Sequence, residues 1–414
     1  MTAATRLNRR PVAGRCAAPQ SGAVTRRGPD GTRATGEGGV RLAPLGPFWL
    51  ESGVALASLT VAYRHDGPLP PAPQVLVVHA LTGSADAAGD WWAPLIGPGR
   101  PLDTRRIGVL CANLLGGRYG TTGPTSRDPA TGRPYGRHFP GITVRDQARA
   151  QLALLDALGI PRLSLVVGGS LGGMVALEVA LERPGLTDVV MPIAAPAATG
   201  ALAIAWNHLQ LELVERLGED GLDLARRLAM TTYRSEVDFG SRFGRRIGAD
   251  GRFEVTSYLE HQGRKLLDRF DADTYAVLVR AIDGHDIGRD RDGPEAALRR
   301  LAGGGTRLVG VGIEGDILYG PDQVLDLVRL ARLAGVDAAY REIRSTKGHD
   351  AFLVEWDQLR DLLVDALGRA PRGDGLAGVG ASPCCGPDGY GATRGPEARA
   401  GATAPDPKPS LIES

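Results

Sequence analysis

Four cysteines in 414 residues, Cys16, Cys111, Cys384 and Cys385, are too few for a disulfide framework, and none has metal-ligand spacing with histidine. A reducing cytoplasm is the compartment that suits such cysteine usage. An excess of charge is also missing, since 48 basic side chains face 47 acidic ones for a formal +1. That balance removes the electrostatic basis for a dedicated nucleic-acid binder or a binder of acidic membranes. No run approaches the roughly 18 apolar residues that a spanning helix needs. Lysine is scarce: Lys265, Lys347 and Lys408 stand among many arginines, a coding bias that says little about chemistry.

Glycine is plentiful at 58 residues, gathered at turns and at the two ends of the chain. Residues 1–44 are rich in Arg, Gly, Ala, Thr and Pro, with only Asp30 and Glu37 as acids. They are expected to form a disordered tail or an over-long start, with an organellar transit peptide as the alternative. Residues 371–414 repeat that composition and are expected to form a second tail, in which Cys384 and Cys385 are incidental thiols. The folded unit is then expected to span residues 45–370, ample length for one sizeable core.

Inside it, short β-rich runs alternate with helical patterns, which predicts a mostly parallel sheet covered by helices. The strand runs are 75–79, 106–111, 163–167, 188–191, 307–313 and 339–343, and the helical runs are 143–158, 171–182, 321–334 and 350–367. An alternating segment at 56–63 predicts an opening strand, antiparallel to the stretch around Trp49–Val54. From 197 to 300 the strand signals vanish and helical patterns take over, for example at 202–217, 222–230, 256–270 and 273–282. This predicts a helical cap inserted between a first core part, 45–196, and a second, 301–370.

The sharpest local signal is Gly168-Gly169-Ser170-Leu171-Gly172-Gly173, placed between a strand and a helix. G-x-S-x-G in that setting forms a nucleophile elbow, which lifts the serine hydroxyl above the sheet. Small residues flank it because the turn brings two backbones close together. Ser170 also lies at a helix start, where free N–H groups favour developing negative charge. A serine hydroxyl needs a base, and on this fold the order is serine, acid, histidine. Asp316 follows one strand and His349 follows the next, so both sit at carboxyl ends of strands, where catalytic groups gather. The expected oxyanion donors are the N–H of Leu171 and an N–H from the loop after His79, assigned to Leu81. His79 itself is expected to be structural.

At this point the chain resembles the homoserine O-acyltransferases of the α/β-hydrolase superfamily, the group that includes homoserine O-acetyltransferase. The resemblance rests on His79-Ala-Leu-Thr-Gly83, on the loop from Leu115 to Pro124, and on the elbow through Met174. It continues through Thr232-Tyr-Arg-Ser235, Ser257-Tyr-Leu259, the run from Arg269 to Tyr275, His285-Asp-Ile-Gly-Arg289 and Gly348-His-Asp-Ala-Phe352. It implies an α/β-hydrolase fold and a ping-pong reaction, with acetyl-CoA as co-substrate and no prosthetic cofactor. By resemblance, Arg234 holds the carboxylate of L-homoserine, Asp350 contacts its amino group, and the cap mediates a homodimer. Read without the family, Arg234 is a charge on a cap helix and Asp350 an N-cap.

Two departures stand out. Arg118 replaces the cysteine of the family's Gly-Gly-Cys loop and bears on the approach of the acyl-CoA, and Leu171 follows the serine directly. The run Asp316-Ile-Leu-Tyr-Gly-Pro321 carries no cation for a second carboxylate, which favours an acetyl over a succinyl donor. L-Serine as acceptor, an ester or thioester hydrolase, and a binding protein on this fold remain the alternatives.

Overall fold

The computed structural model describes residues 33–35 and 39–368. The expected tail at 371–414 lies outside the described residues, as does most of that at 1–44. The amino-terminal boundary needs correction, because Val40–Pro44 already belong to a strand whose partner residues run up to Tyr63. Residue-by-residue antiparallel pairing of Arg41–Pro44 with Thr60–Tyr63 fixes that stretch to the sheet.

The strands are β1 (Arg33–Thr35), β2 (Val40–Trp49), β3 (Ala55–Asp66), β4 (Gln74–Val78), β5 (Gly108–Ala112), β6 (Leu163–Gly169), β7 (Thr187–Ile193), β8 (Arg307–Ile313) and β9 (Ala338–Ile343). They form one sheet in the order β1-β2-β3-β5-β4-β6-β7-β8-β9. Pairing is antiparallel from β1 to β5 and parallel from β5 to β9. The antiparallel partner of β3 is β2, not Trp49–Val54; Gly53 takes a positive φ of 79° and its N–H donates to Leu50, so that stretch makes the turn.

After β4 the chain steps to one side to form β5, then crosses back through α1 (Val144–Ala157) to form β6 on the other side. The crevice beyond the carboxyl ends of β4 and β6 is therefore a topological switch point, where open α/β sheets bind ligands. Thr143 and Asp146 start α1 with a reciprocal capping box. Helix α2 (Leu171–Glu182) is apolar nearly all round and buried from Leu171 to Leu181. Its one buried charge, Glu178, accepts two hydrogen bonds from Arg291 at 3.0 and 2.6 Å.

The cap follows β7 as α3 (Ala201–Leu217), α4 (Glu219–Tyr233), α5 (Glu236–Arg242), α6 (Glu254–Leu267) and α7 (Ala272–Asp283). Next come α8 (Pro294–Gly303), α9 (Pro321–Leu333) and α10 (Trp356–Gly368). Helix α8, inside the span expected for the cap, packs against α2 and α9 of the core. The expected helix 350–367 is split into a 3-10 segment, Gly348–Leu353, and α10. The Phe352 carbonyl is taken by the indole N–H of Trp92 at 3.0 Å, so it is withheld from a continuing helical ladder. No helix of the described residues is long and apolar enough to cross a membrane.

Candidate active site

Ser170 follows β6 and caps α2 with φ 57° and ψ −128°, a conformation that costs a non-glycine residue strain. The backbone around it holds that strain in place. The Ser170 N–H donates to the Ile193 carbonyl at 2.9 Å, while the Gly173 and Met174 N–H groups donate to the Ser170 carbonyl. A Cβ at Gly168 would lie 2.4 Å from the Gly172 carbonyl oxygen, and one at Gly172 would lie 2.2 Å from that of Val78. Both positions must be glycine for strand and helix to meet. Leu171 is the first residue of α2, so its N–H has no carbonyl partner within the helix.

His349 and Asp316 come together as the sequence order requires, with Nδ1 of His349 2.7 Å from Oδ2 of Asp316 and both residues buried. Asp316 is itself fixed, since its Oδ1 accepts the N–H groups of Leu318 and Tyr319 at 2.9 and 3.1 Å. Burial pulls the imidazole down, but the charge and hydrogen bond of Asp316, with the charge of Asp350, outweigh it, and the imidazole is raised from its ordinary value. The rings of Tyr233, Tyr319 and Phe352 surround the imidazole at centroid distances of 5.5 to 5.9 Å. Its Nε2 is buried without a hydrogen-bond partner.

Ser170, His349, Leu81 and Asp350 line one cavity of about 650 Å³. His79 does not join them. Its Nδ1 lies 2.7 Å from the Ala80 carbonyl, its Nε2 accepts the Leu114 N–H, and burial lowers it to about 4. Both ring nitrogens are spent on orienting the loops around it, as expected of a structural residue.

The other wall of the cavity comes from the cap, and Arg234 does not lie on it. Arg234 is absent from the cavity lining; its Nε lies 3.2 Å from Asp350 and its Nη1 3.7 Å from Asp238. Two arginines line the cavity, Arg226 and Arg269, and the one beside the imidazole's aromatic neighbours is Arg226, whose guanidinium sits over the Tyr233 ring at 5.2 Å. Arg226 lies on α4, two turns before Tyr233. The signal available in the sequence was that seven-residue spacing, which puts both residues on one helix face.

Arg234 instead belongs to a strut between the cap and the histidine loop. Asp238, only 1% exposed, receives Lys347 at 2.9 Å, and the Ser235 hydroxyl donates to the Thr346 carbonyl at 2.5 Å. Gly348, with φ 67°, passes so close that a Cβ would meet the Ser235 nitrogen at 2.7 Å. Arg118 is off the cavity too, lying 3.7 Å from Asp271, the residue that caps α7, while its neighbour Tyr119 lines the cavity. Among the described residues no cluster of His, Cys, Asp and Glu could hold a metal ion.

Known proteins share this fold and much of this sequence. A family model described as the alpha/beta hydrolase fold matches residues 73–247. The homoserine O-acetyltransferase of Moorella thermoacetica is 44% identical over 349 residues, covering 77% of this chain and 92% of that protein. The crystal structure of homoserine O-acetyltransferase from Staphylococcus aureus superimposes with a TM-score of 0.69 at 30% identity, covering 81% of this chain and 96% of that one. Esterase E22 superimposes with a TM-score of 0.73 at 22% identity, covering 79% and 99%, a likeness of fold alone. On these likenesses, the chain belongs to the homoserine O-acetyltransferase family of the α/β-hydrolase fold.

Proposed function

We propose that this chain transfers the acetyl group of acetyl-CoA to the hydroxyl of L-homoserine, giving O-acetyl-L-homoserine and CoA at the entry to methionine synthesis. Ser170 is the nucleophile, His349 its base and Asp316 the group that orients the imidazole. His349 Nε2 takes the Ser170 proton as Oγ attacks the thioester carbonyl. The developing oxyanion is met by the N–H groups of Leu81 and Leu171. The carbon–sulfur bond breaks, and the CoA sulfur leaves with the proton from His349. The homoserine hydroxyl then gives its proton to His349 and attacks the acetyl-serine ester. Ser170 leaves as the ester breaks and recovers its proton.

The observation that carries this reading is the presence of both Arg226 and Asp350 on the same cavity as Ser170 and His349. A guanidinium and a carboxylate are what the two charged ends of an amino acid require. Arg226 therefore takes the carboxylate role expected of Arg234, Asp350 takes the ammonium, and Arg234 positions Asp350. A simple ester hydrolase has no need of that pair. For transfer to win over hydrolysis, water must be excluded, and the cap wall over Ser170 supports that.

We further place the enzyme in the cytoplasm as a homodimer joined through the cap. Leu202, Leu209 and Leu217 on α3 are exposed at 61%, 49% and 50%, the kind of surface a partner copy covers.

Thiol release from acetyl-CoA, measured with and without L-homoserine, tests the reading. Succinyl-CoA and L-serine in parallel wells test donor and acceptor. Release that depends on homoserine is the expected result. Release indifferent to every amino acid would make the protein a thioesterase and remove the roles of Arg226 and Asp350.

A further inference from the structure

The cations of the cavity all lie on its cap side. They are Arg226 on α4, Lys265 in the last turn of α6, and Arg269 just beyond α6. The acids Asp86 and Asp90 come from the core loop after β4, and Asp350 from the histidine loop. Asp86 is already paired with Arg64 and Asp350 with Arg234. Among the described residues, no carboxylate pairs with Arg226, Lys265 or Arg269, although ion pairs engage many of the protein's other arginines. Three cations left without acidic partners on one wall of a cavity call for an anionic ligand.

They divide by position. Arg226 is stacked over Tyr233, which in turn lies against His349, and so belongs to the reacting end. Lys265 is exposed, at the edge of the cavity nearest solvent. Arg269 follows it by four residues, and the backbone stays helical through Asp268, so the two share a face. Arg269 is held in place from both ends. Its guanidinium donates to the Thr82 carbonyl at 2.5 Å and lies 3.3 Å from the Thr82 hydroxyl, and its own carbonyl accepts the Tyr119 hydroxyl at 2.9 Å. A guanidinium has five N–H donors, so Thr82 leaves several for a ligand.

Resting on the acetyl-CoA reading above, we propose that Lys265 and Arg269 form the seat for the phosphate groups of the donor's nucleotide carrier. A thioester that reaches Ser170 must trail its phosphates outward, because stripping a phosphate of water is costly without cationic partners. A flexible ammonium at the rim and a braced guanidinium one turn further along match that need. Lysine meets a phosphate as a point charge and arginine as a fork.

The test compares two acyl donors in the homoserine-dependent reaction: acetyl-CoA and S-acetylpantetheine, which lacks the phosphates. In Lys265→Glu, kcat/KM for acetyl-CoA should fall about tenfold or more relative to that for S-acetylpantetheine. Lys265→Arg, which keeps the charge, should preserve the wild-type ratio. The drop in acetyl-CoA efficiency with added salt should also flatten in Lys265→Glu. A lysine that merely complements the carboxyl end of α6 would change the melting temperature and leave the donor ratio alone, which overturns the proposal. Homoserine-dependent turnover in the wild type with an unchanged ratio in Lys265→Glu sinks the phosphate seat only. No homoserine-dependent turnover of either donor in the wild type sinks the acyl-transfer reading, and the seat with it.

Discussion

The turn that carries Ser170 and the wall that faces it are assembled at different ranges along the chain. Gly168, Gly172 and Ser170 lie within five consecutive residues, and what the two glycines must fit is each other and the carbonyls of Val78 and His79 at the end of β4. The wall draws Arg226 and Tyr233 from the cap and Asp350 from a loop after the last strand, and the strut behind it joins Lys347 to Asp238 across 109 residues. A short-range device is fixed by steric necessity, since no larger side chain fits at Gly168 or Gly172. The long-range wall is fixed by charge, and charge can be met by more than one residue. That is why the elbow around Ser170 can be read from a motif, while the sequence alone does not tell that Arg226, and not Arg234, lines the cavity.

Substitution at the turn should have the largest effects and should separate chemistry from fold. Ser170→Ala is expected to cost at least about 10⁴-fold in turnover with little change in melting temperature. Gly172→Ala drives a methyl into the Val78 carbonyl oxygen and should destabilise the protein by about 3 kcal/mol, read by denaturant unfolding. If Gly172→Ala were as stable as the wild type, steric necessity would not be what distinguishes the turn.

Effects at the wall should be smaller and should fall on KM. Arg226→Ala is expected to raise the KM for homoserine by about 100-fold while leaving that for acetyl-CoA within a few-fold. Arg234→Ala, acting through Asp350 and the strut at Asp238, should raise it by less than about tenfold. Steady-state kinetics in both substrates decide between them, and a larger effect at Arg234 would return the carboxylate role to it.

The smallest effect is a shift in pH dependence. His349 must be neutral to accept a proton, and its folded pKa lies above 6.5. The rate of Ser170 acetylation should therefore rise with pH through a midpoint above 6.5. Asp350→Asn removes one of the charges that raise it, so the midpoint should move lower. An unmoved midpoint would mean that the wall and the imidazole are electrostatically independent.

Much of this was legible in the sequence, for physical reasons that differ by element. Strands β4, β6, β7 and β8 are buried along nearly their whole length and appear as continuous apolar runs. Helix α2 was placed to the residue because Ser170 and the glycines mark its start. By contrast, the local turn signal in Trp49–Val54 is slight, the pair Ser52-Gly53, and the β2–β3 register decides it. The break between Leu353 and Trp356 depends on Trp92, a residue remote in sequence. Order along the chain identified Asp316 and His349, whereas Arg226 and Arg234 differ only in which way each points from the cap.

Helix α2 has one more consequence. Its first turn shapes the backbone at Ser170, and its later turns hold Glu178 and Glu182, which grip Arg291 where the chain returns from the cap. Glu182 also binds Arg149 on α1, and Arg145 on α1 binds Glu51, which binds Arg289. Opening the cap's return would expose these charges while their partners stay buried under the sheet-packed helix, a state of high free energy. The cap and the core should therefore melt in one cooperative transition. A protease cutting within the cap should not leave behind a stable, capless hydrolase.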